Sequence, residues 1–357
     1  MNYREITLRE AIHFKNGKKR PTSEGNIPVY GGNGVLGYAG ESNYEHCIII
    51  GRVGAYCGSA YLEEGKCWVS DNAIAAVPSG DNDTKFFCYL LKGLHLNERH
   101  IGTSQPLLTQ EILNKINCEV PSYPDQQRIA ELLSSLDRKI NVNRKLNDNL
   151  ADLLQTIYQE RFSNDILAVN QGVLSDICSY SRDKVAVSEL NVSTYFSTEN
   201  MLSGKAGSTE ATSLPTTSQT TACHKGDTLI SNIRPYFKKI VYCEGNCGCS
   251  TDVLCFTPSQ PRYSTYLFST LYADKFFAFM VAGSKGTKMP RGDKQQIMTY
   301  PVVLPSEEEL ARFNTIASPL LEQIYSNRAE NKRLSILRDT LLPKLMSGEI
   351  DVSAVQL

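Results

Sequence analysis

Two long segments of the chain repeat apolar residues at steps of three and four, which predicts helices with one apolar side. In residues 124–162 these positions are Ile129, Leu133, Leu136, Ile140, Leu146, Leu150, Leu153 and Ile157. The spacing predicts the seam of a coiled coil. At about 1.5 Å per residue the helix would approach roughly 60 Å. Such a rod cannot fold inside one compact domain.

A second helix of this kind is predicted to begin at Ser306 and to end near Ser347-Gly348. Its start carries Ser306-x-x-Glu309, a capping box that satisfies free backbone N–H groups. Its apolar side comprises Leu310, Phe313, Ala317, Leu320, Ile324, Leu334 and Leu341. Pro319 and Pro343 predict a bend or an interruption, because proline removes a backbone donor.

Asparagines occupy seam positions in both predicted helices: Asn143 and Asn147 in the first, Asn327 and Asn331 in the second. A buried asparagine needs a polar partner, and coiled coils use such residues to fix register. We therefore expect the helices to pack antiparallel, with these asparagines meeting near the middle. The apolar residues expected to pair beside them are Leu136, Ile140, Leu150, Leu320, Ile324 and Leu334. The alternative is that the asparagines are exposed and face water.

The helices belong to an internal repeat with an offset of 184 residues. Gly102-Thr103-x-x-Pro106 matches Gly286-Thr287-x-x-Pro290, and Val120-Pro121-Ser122 matches Leu304-Pro305-Ser306. Upstream the offset falls to about 180: Ile49-Ile50-Gly51-Arg52 resembles Leu229-Ile230-Ser231-Asn232, and Ser70-Asp71-Asn72-Ala73 resembles Thr251-Asp252-Val253-Leu254. Such self-similarity predicts a duplicated domain. The alternative is a duplication without a special use.

The segments outside the helices carry short apolar runs such as His46–Ile50 and Asp227–Ile230, separated by turn-rich sequence. This predicts mixed domains centred on a twisted sheet or partial barrel. Helices at Phe86–Leu94 and Tyr263–Phe279 are expected to pack on those sheets. The predicted fold class is α+β, with two globular mixed α/β domains, each followed by a long helix, and an antiparallel coiled coil. The boundaries are 1–121, 122–165, 166–305 and 306–347, with a tail at 348–357.

Length and composition agree with two folded domains. The 357 residues exceed the usual size of one domain, and 41% apolar and 21% charged residues are ordinary for a globular protein. No run of about 18 apolar residues occurs, and MNYREITLRE lacks an apolar leader, so a cytoplasmic location is expected. The eleven cysteines are therefore expected to be reduced thiols.

Charge is distributed unevenly along the chain, although its net value is only -1. Residues 225–294 contain ten Lys/Arg against five Asp/Glu, whereas residues 41–110 contain five against eight. Only the second half thus has the excess of cations expected beside a phosphate backbone. The first half would need a partner or a few well-placed bases.

These features together resemble the specificity (S) subunit of type I restriction-modification systems. Segments similar to that family are Pro28-Val29-Tyr30-Gly31-Gly32-Asn33-Gly34-Val35-Leu36-Gly37-Tyr38, Gly102-Thr103-Ser104-Gln105-Pro106 and Ile233-Arg234-Pro235-Tyr236. The likeness covers nearly the whole chain, in the order recognition domain, spacer helix, recognition domain, spacer helix.

The resemblance implies a non-catalytic subunit that reads a bipartite double-stranded DNA target, one half-site per domain, while the helices set the gap. It implies docking of two methyltransferase (M) subunits and of restriction (R) subunits. S-adenosylmethionine, ATP and Mg would then belong to those partners, and this chain would hold no cofactor.

Candidate DNA-binding residues are hydrogen-bonding and cationic side chains near predicted turns, because DNA contacts require such groups. In the second domain they are Asn232, Arg234, Tyr236, Lys238 and Lys239, which leave a strand together, and Thr287, Lys288 and Arg291, beside Gly286. In the first domain the corresponding positions are Arg52, Tyr56, Thr103, Ser104 and Gln105. The alternative is that they are surface residues without a ligand.

Other site types are not supported by the sequence. Cys243-x-x-x-Cys247-x-Cys249, with Cys255, departs from paired Cys-x-x-Cys spacing, so no metal site is predicted. The Gly-rich residues 31–40 lack the ending of a phosphate loop. A methyltransferase loop of the Asn-Pro-Pro-Tyr type is absent from the sequence. The remaining alternatives are a thiol-dependent enzyme using His46 or His95, and a non-catalytic module that assembles other proteins.

Overall fold

The computed structural model describes residues 3–102, 105–162 and 171–353. The chain forms two compact units, which we call unit 1 (Met1–Val142 and Glu330–Leu357) and unit 2 (Asn143–Ala329). Of the described helices, none is both long and apolar enough to cross a membrane.

Unit 1 contains a six-stranded sheet and a two-stranded sheet. Its strands β1–β8 are Arg4–Thr7, Ile12–Asn16, Ile27–Gly31, Gly34–Ala39, Tyr44–Gly51, Ala60–Val69, Ala73–Pro78 and Asn117–Val120. Its short helices α1–α3 are Leu8–Ala11, Thr84–Gly93 and Gln110–Asn114. The large sheet has the order β2-β7-β5-β6-β3-β4, and β1 pairs with β8. Phe86, Phe87 and Leu91 of α2 belong to the buried core of this unit.

The first long helix, α4, spans Tyr123–Phe162. Unit 2 then has strands β9–β18, which are Gln171–Val173, Cys178–Tyr180, Lys184–Ala186, Tyr195–Phe196, Gln219–Cys223, Thr228–Ser231, Ile240–Tyr242, Cys247–Cys249, Val253–Pro258 and Pro301–Val303. Its helices α5–α8 are Leu174–Ile177, Ser264–Tyr272, Asp274–Ala282 and Lys294–Met298. The sheets have the orders β10-β17-β14-β15, β11-β13-β16-β12 and β18-β9.

The second long helix, α9, spans Glu307–Met346 without a break. The capping box is confirmed, because Ser306 N and Oγ donate to Glu309 Oε2 at 2.9 and 2.7 Å. The predicted interruption at Pro319 or Pro343 is wrong, whereas a bend there stays a prediction. Both prolines are exposed, so water can satisfy the carbonyl group that loses its backbone donor.

The apolar seam of α4 runs in steps of three and four through two polar residues. Its buried or half-buried positions are Ile129, Leu133, Leu136, Ile140, Asn143, Asn147, Leu150, Leu154 and Ile157. Leu146 and Leu153, predicted on the seam, are instead 41% and 47% exposed. The steps of three and four continue through Asn143 and Asn147. The prediction of Leu146 and Leu153 was wrong because it followed leucine residues instead of this spacing.

The helices pack antiparallel, and the seam asparagines bond across them. In unit 2, Asn327 Nδ2 donates to Asn147 Oδ1 at 2.8 Å, and Asn147 Nδ2 donates to Ile324 O at 3.2 Å. In unit 1, Asn331 Nδ2 donates to Ile140 O at 3.3 Å. Asn143 and Asn327 are at most 5% exposed. Asn147 and Asn327 therefore meet across the helices, and the alternative of solvent-facing asparagines does not hold for Asn143 and Asn327.

Each unit packs its part of both helices into its own core. In unit 1, Ile129 and Leu133 of α4 share a core with Leu345 of α9. In unit 2, Phe162 lies edge-on to Phe313, with ring centres 5.3 Å apart. The predicted α+β fold class, with mixed sheets and two long helices packed together, is confirmed. The predicted domain boundaries stay a prediction.

We expect Asn147→Ala to lower the free energy of unfolding by about 1–3 kcal/mol, because it leaves Asn327 Nδ2 and the Ile324 carbonyl without the partner that Asn147 provides. Chemical denaturation followed by circular dichroism measures the change. Asn149→Ala is the matched control: Asn149 is exposed on the same helix, and we expect a change within about 0.5 kcal/mol. Equal losses in the two variants would show that the seam bond contributes nothing.

Candidate nucleic-acid interface

A turn at the end of β5 in unit 1 is held by main-chain hydrogen bonds. Arg52 N donates to Asn72 O at 3.0 Å, and Leu108 N donates to Arg52 O at 2.9 Å. Gly54 N donates to Pro106 O at 3.0 Å. The turn, which includes a single turn of 3₁₀-helix at Gly54–Tyr56, is thus fixed against the segment that follows Gln105.

A turn at the end of β14 in unit 2 is built in the same way. Asn232 N donates to Asp252 O at 2.8 Å, and Gly292 N donates to Asn232 O at 3.3 Å. Arg234 N donates to Pro290 O at 2.8 Å. A single turn of 3₁₀-helix follows at Pro235–Phe237.

The two turns occupy equivalent places in the internal repeat. Asn72 corresponds to Asp252 at an offset of 180, and Pro106 corresponds to Pro290 at an offset of 184. One predicted match was shifted by a residue. Ala73 N donates to Ser70 O and Val253 N donates to Ser250 O, both at 3.0 Å, so Ser70 corresponds to Ser250 and not to Thr251.

An exposed tyrosine lies at the same position in both turns. Tyr56 is 51% exposed and Tyr236 is 50% exposed. Beside Tyr236 lies Phe237, which is also exposed, with ring centres 4.7 Å apart. An exposed aromatic ring can stack on a base or enter a groove, and its hydroxyl can bond to DNA.

Two of the predicted cations flank this tyrosine in a left-handed backbone conformation. Arg234 has a φ of 50° and Lys238 a φ of 51°. Non-glycine residues adopt this region at an energetic cost, so the surrounding structure must hold them there. Pro235, whose φ is fixed by its ring, begins the short helix between them.

Two lysines of this turn bond to the protein itself. Lys238 Nζ lies 2.9 Å from Asp274 Oδ1, and Lys205 Nζ lies 2.7 Å from the same atom. Lys205 and Lys238 hold the pKa of Asp274 below its usual value. Lys239 Nζ donates to Thr198 O, and burial lowers the pKa of Lys239.

The predicted loop beside Gly286 is closed by backbone bonds. Lys285 N and Arg291 N each donate to the other residue's carbonyl, at 2.9 and 3.0 Å. Gly286 has a φ of 98°, which glycine adopts readily. Thr287 and Lys288 are exposed at the tip. Arg291 is exposed too, and its Nη2 lies 3.0 Å from Asp252 Oδ1.

The other predicted residues differ in placement. Asn232 is only 7% exposed, and its Oδ1 is buried without a hydrogen bond. Arg52 is half-buried, and its Nε is also buried without a hydrogen bond. Gln105 is exposed. Thr103 and Ser104 lie outside the described residues.

Sequence reasoning missed the anions and the second aromatic ring of this site. Asp252 and Asp274 pair with the predicted cations, and Phe237 adds to the exposed aromatic surface. The internal repeat could have pointed to Asp252, because Asp252 corresponds to Asn72. No sequence pattern pointed to Asp274, because only tertiary packing brings it close to Lys238.

The thiols lie in the interior of the two units. All eleven cysteines are buried, and none of them forms a disulfide. Among the described residues no three His, Cys, Asp or Glu are grouped so as to hold a metal ion.

Comparisons with known proteins show what parts of the chain are similar to. Residues 2–151 match the family described as "Type I restriction modification DNA specificity domain". The chain is 32% identical over 118 residues to the type I restriction enzyme EcoprrI specificity subunit of Escherichia coli, covering 32% of this chain and 29% of that protein. It is 34% identical over 73 residues to the MjaIX specificity subunit of Methanocaldococcus jannaschii, covering 20% of this chain and 17% of that protein. The matched stretches thus span less than a third of these relatives.

The similarity in fold covers nearly the whole chain. A solved S subunit of a type I restriction-modification system from M. genitalium superposes with a TM-score of 0.64 at 19% identity, covering 97% of this chain and 96% of that one. At this identity the match shows a shared fold. The predicted resemblance to specificity subunits of type I restriction-modification systems is thus confirmed, by the family match at residues 2–151 and by the shared fold along the chain.

Proposed function

We propose that this chain recognises a bipartite target in double-stranded DNA, with one half-site contacted by the turn of each unit. The observation that carries the proposal is the recurrence of one turn, with identical main-chain bonding and an exposed tyrosine, at Tyr56 and at Tyr236. A bipartite site requires two reading surfaces, and the duplication supplies two of the same construction.

The predicted residues divide into two roles by exposure. Tyr56, Gln105, Tyr236, Thr287 and Lys288 are exposed, so we propose that they contact DNA. Thr103 and Ser104 remain proposed contacts by their place in the repeat. We propose that Arg291 also contacts DNA, with a phosphate replacing Asp252 at its guanidinium group, because Arg forms strong bonds to phosphate.

The buried or engaged residues are better suited to positioning the turn. Asn232 is buried, Lys238 and Lys239 bond to Asp274 and Thr198, and Arg52 and Arg234 are half-buried. We assign these five to holding the turn in shape, with Arg234 and Arg52 within reach of DNA only through the exposed parts of their guanidinium groups.

The rest of the proposed role follows from the family. The chain acts in the cytoplasm without catalysing a reaction, docks two M subunits and the R subunits, and leaves S-adenosylmethionine, ATP and Mg to those partners. Residues 1–121 and 166–305 are the recognition domains, and residues 122–165 and 306–347 are the spacer helices that set the number of base pairs between half-sites.

Selection from randomised duplex DNA tests this function, with the chain alone and with M subunits present. A selected motif of two fixed parts separated by a constant gap is the expected result. Binding without sequence preference, or no binding in either condition, would contradict the proposal and favour a module that assembles proteins.

We expect Tyr56→Ala and Tyr236→Ala to weaken opposite half-sites, each on the order of tenfold, or about 1.4 kcal/mol. The measurement is binding to duplexes in which one half-site is intact and the other is scrambled. The two variants control for each other, because they remove the same side chain from equivalent turns. Loss of the same half-site in both would refute the assignment of one half-site per unit.

Lys288→Ala should weaken DNA binding uniformly across sequences and reduce the slope of log affinity against log salt by about 1, because one phosphate contact is lost. Titrations at several salt concentrations give the slope. Lys225→Ala is the matched control: Lys225 is exposed but precedes β14, at the opposite end of that strand from Arg234. An unchanged slope in Lys288→Ala would remove Lys288 from the interface.

A further inference from the structure

A small core of unit 2 is formed largely by thiols. Five of its nine buried residues are cysteines: Cys223, Cys243, Cys247, Cys249 and Cys255. The other members are apolar. Cysteine can fill a core as a small apolar residue, but this density of thiols places reactive sulfur atoms next to one another.

Within this core Cys243 and Cys247 form a close pair. Their Sγ atoms lie 3.5 Å apart. The residues between them, 244–246, are exposed, and a Cβ on Gly245 would meet no atom within 4 Å. A disulfide needs an S–S distance of about 2.05 Å. The loop has open space in which to make that small closure.

Two of the three neighbouring thiols have other bonding partners. Cys255 Sγ lies 3.2 Å from Asp227 Oδ2, and Cys249 Sγ lies 3.8 Å from Val253 O. Cys223 lies directly opposite Cys247 in the antiparallel pairing of β13 with β16, and its thiol hydrogen-bonds to Cys247.

We propose that Cys243 and Cys247 form a reversible disulfide when a peroxide oxidises unit 2. The Cys247 thiolate attacks the peroxide, so an S–O bond forms, the O–O bond breaks and one water leaves. The Cys243 thiolate then attacks that sulfur, so the S–S bond forms and a second water leaves. The two thiols lose two electrons and two protons in total, and hydrogen peroxide is reduced to two waters.

Cys247 is the better first nucleophile of the pair. It is 7% exposed, against 2% for Cys243, and a peroxide is small enough to use such an opening. Hydrogen bonds from Cys223 and Cys243 stabilise its thiolate and lower its pKa. The thiolate is the reactive form, so both properties favour attack at Cys247.

Peptide mapping can detect the bond because Glu244 lies between the two cysteines. After hydrogen peroxide treatment and alkylation of the remaining thiols, trypsin with a glutamate-specific protease yields the peptides 240–244 and 245–262. We expect these peptides to remain joined, two hydrogen masses lighter than the separate pair, and to separate after reduction. Thiol titration should show a loss of two free thiols per chain.

Two variants assign the bond. Cys247→Ser should abolish the joined peptides, whereas Cys249→Ser, the matched control on the same peptide, should retain them. Circular dichroism checks that both variants fold, and the unsubstituted chain provides the primary result in any case. Sulfinic acid at Cys247 without joined peptides, a Cys223–Cys247 link, or joined peptides that persist in Cys247→Ser would each overturn the proposal.

Discussion

The satisfaction of buried amides along the seam of the long helices is the constraint on which the rest of the structure depends. An apolar seam alone tolerates sliding by a heptad, whereas Asn327 bonded to Asn147 fixes one register. The offset of 184 residues makes Asn331 the counterpart of Asn147, and Ile140 the counterpart of Ile324. Each asparagine donates to a carbonyl of the facing helix, so the same bond recurs once in each unit.

This recurrence explains how a duplicated chain can present two different surfaces. The turns at Arg52 and Asn232 are fixed by bonds between backbone groups, which do not depend on side-chain identity. The side chains they carry can therefore differ without loss of the turn. Gly54 occupies the place of Arg234, and Asn72 the place of Asp252, yet the main-chain bonds are the same.

The sequence predicted regular features better than irregular ones. Heptad spacing, the capping box at Ser306 and the repeat offset depend on local or periodic patterns, and each was found in the structure. Leu146 and Leu153 were misplaced because apolarity was followed in preference to strict spacing. The interruption at Pro319 failed because its cost depends on exposure, which a sequence does not contain. Asp274 was missed because only tertiary packing brings it to Lys238.

The uneven charge along the chain has to be considered together with the ion pairs at the turn in unit 2. The excess of Lys and Arg in residues 225–294 suggested that unit 2 alone could attract a phosphate backbone. Lys238 and Arg291 lie against Asp274 and Asp252, which are already counted among the five acidic residues of that segment. The excess of cations therefore stands, but these two cations are engaged where the turn is formed. In the proposed interface, phosphate would have to compete with these carboxylates, which would make binding at this turn more dependent on fit than on net charge. The two units therefore still differ in net charge, and the exposed tyrosine is the side-chain feature that their turns share.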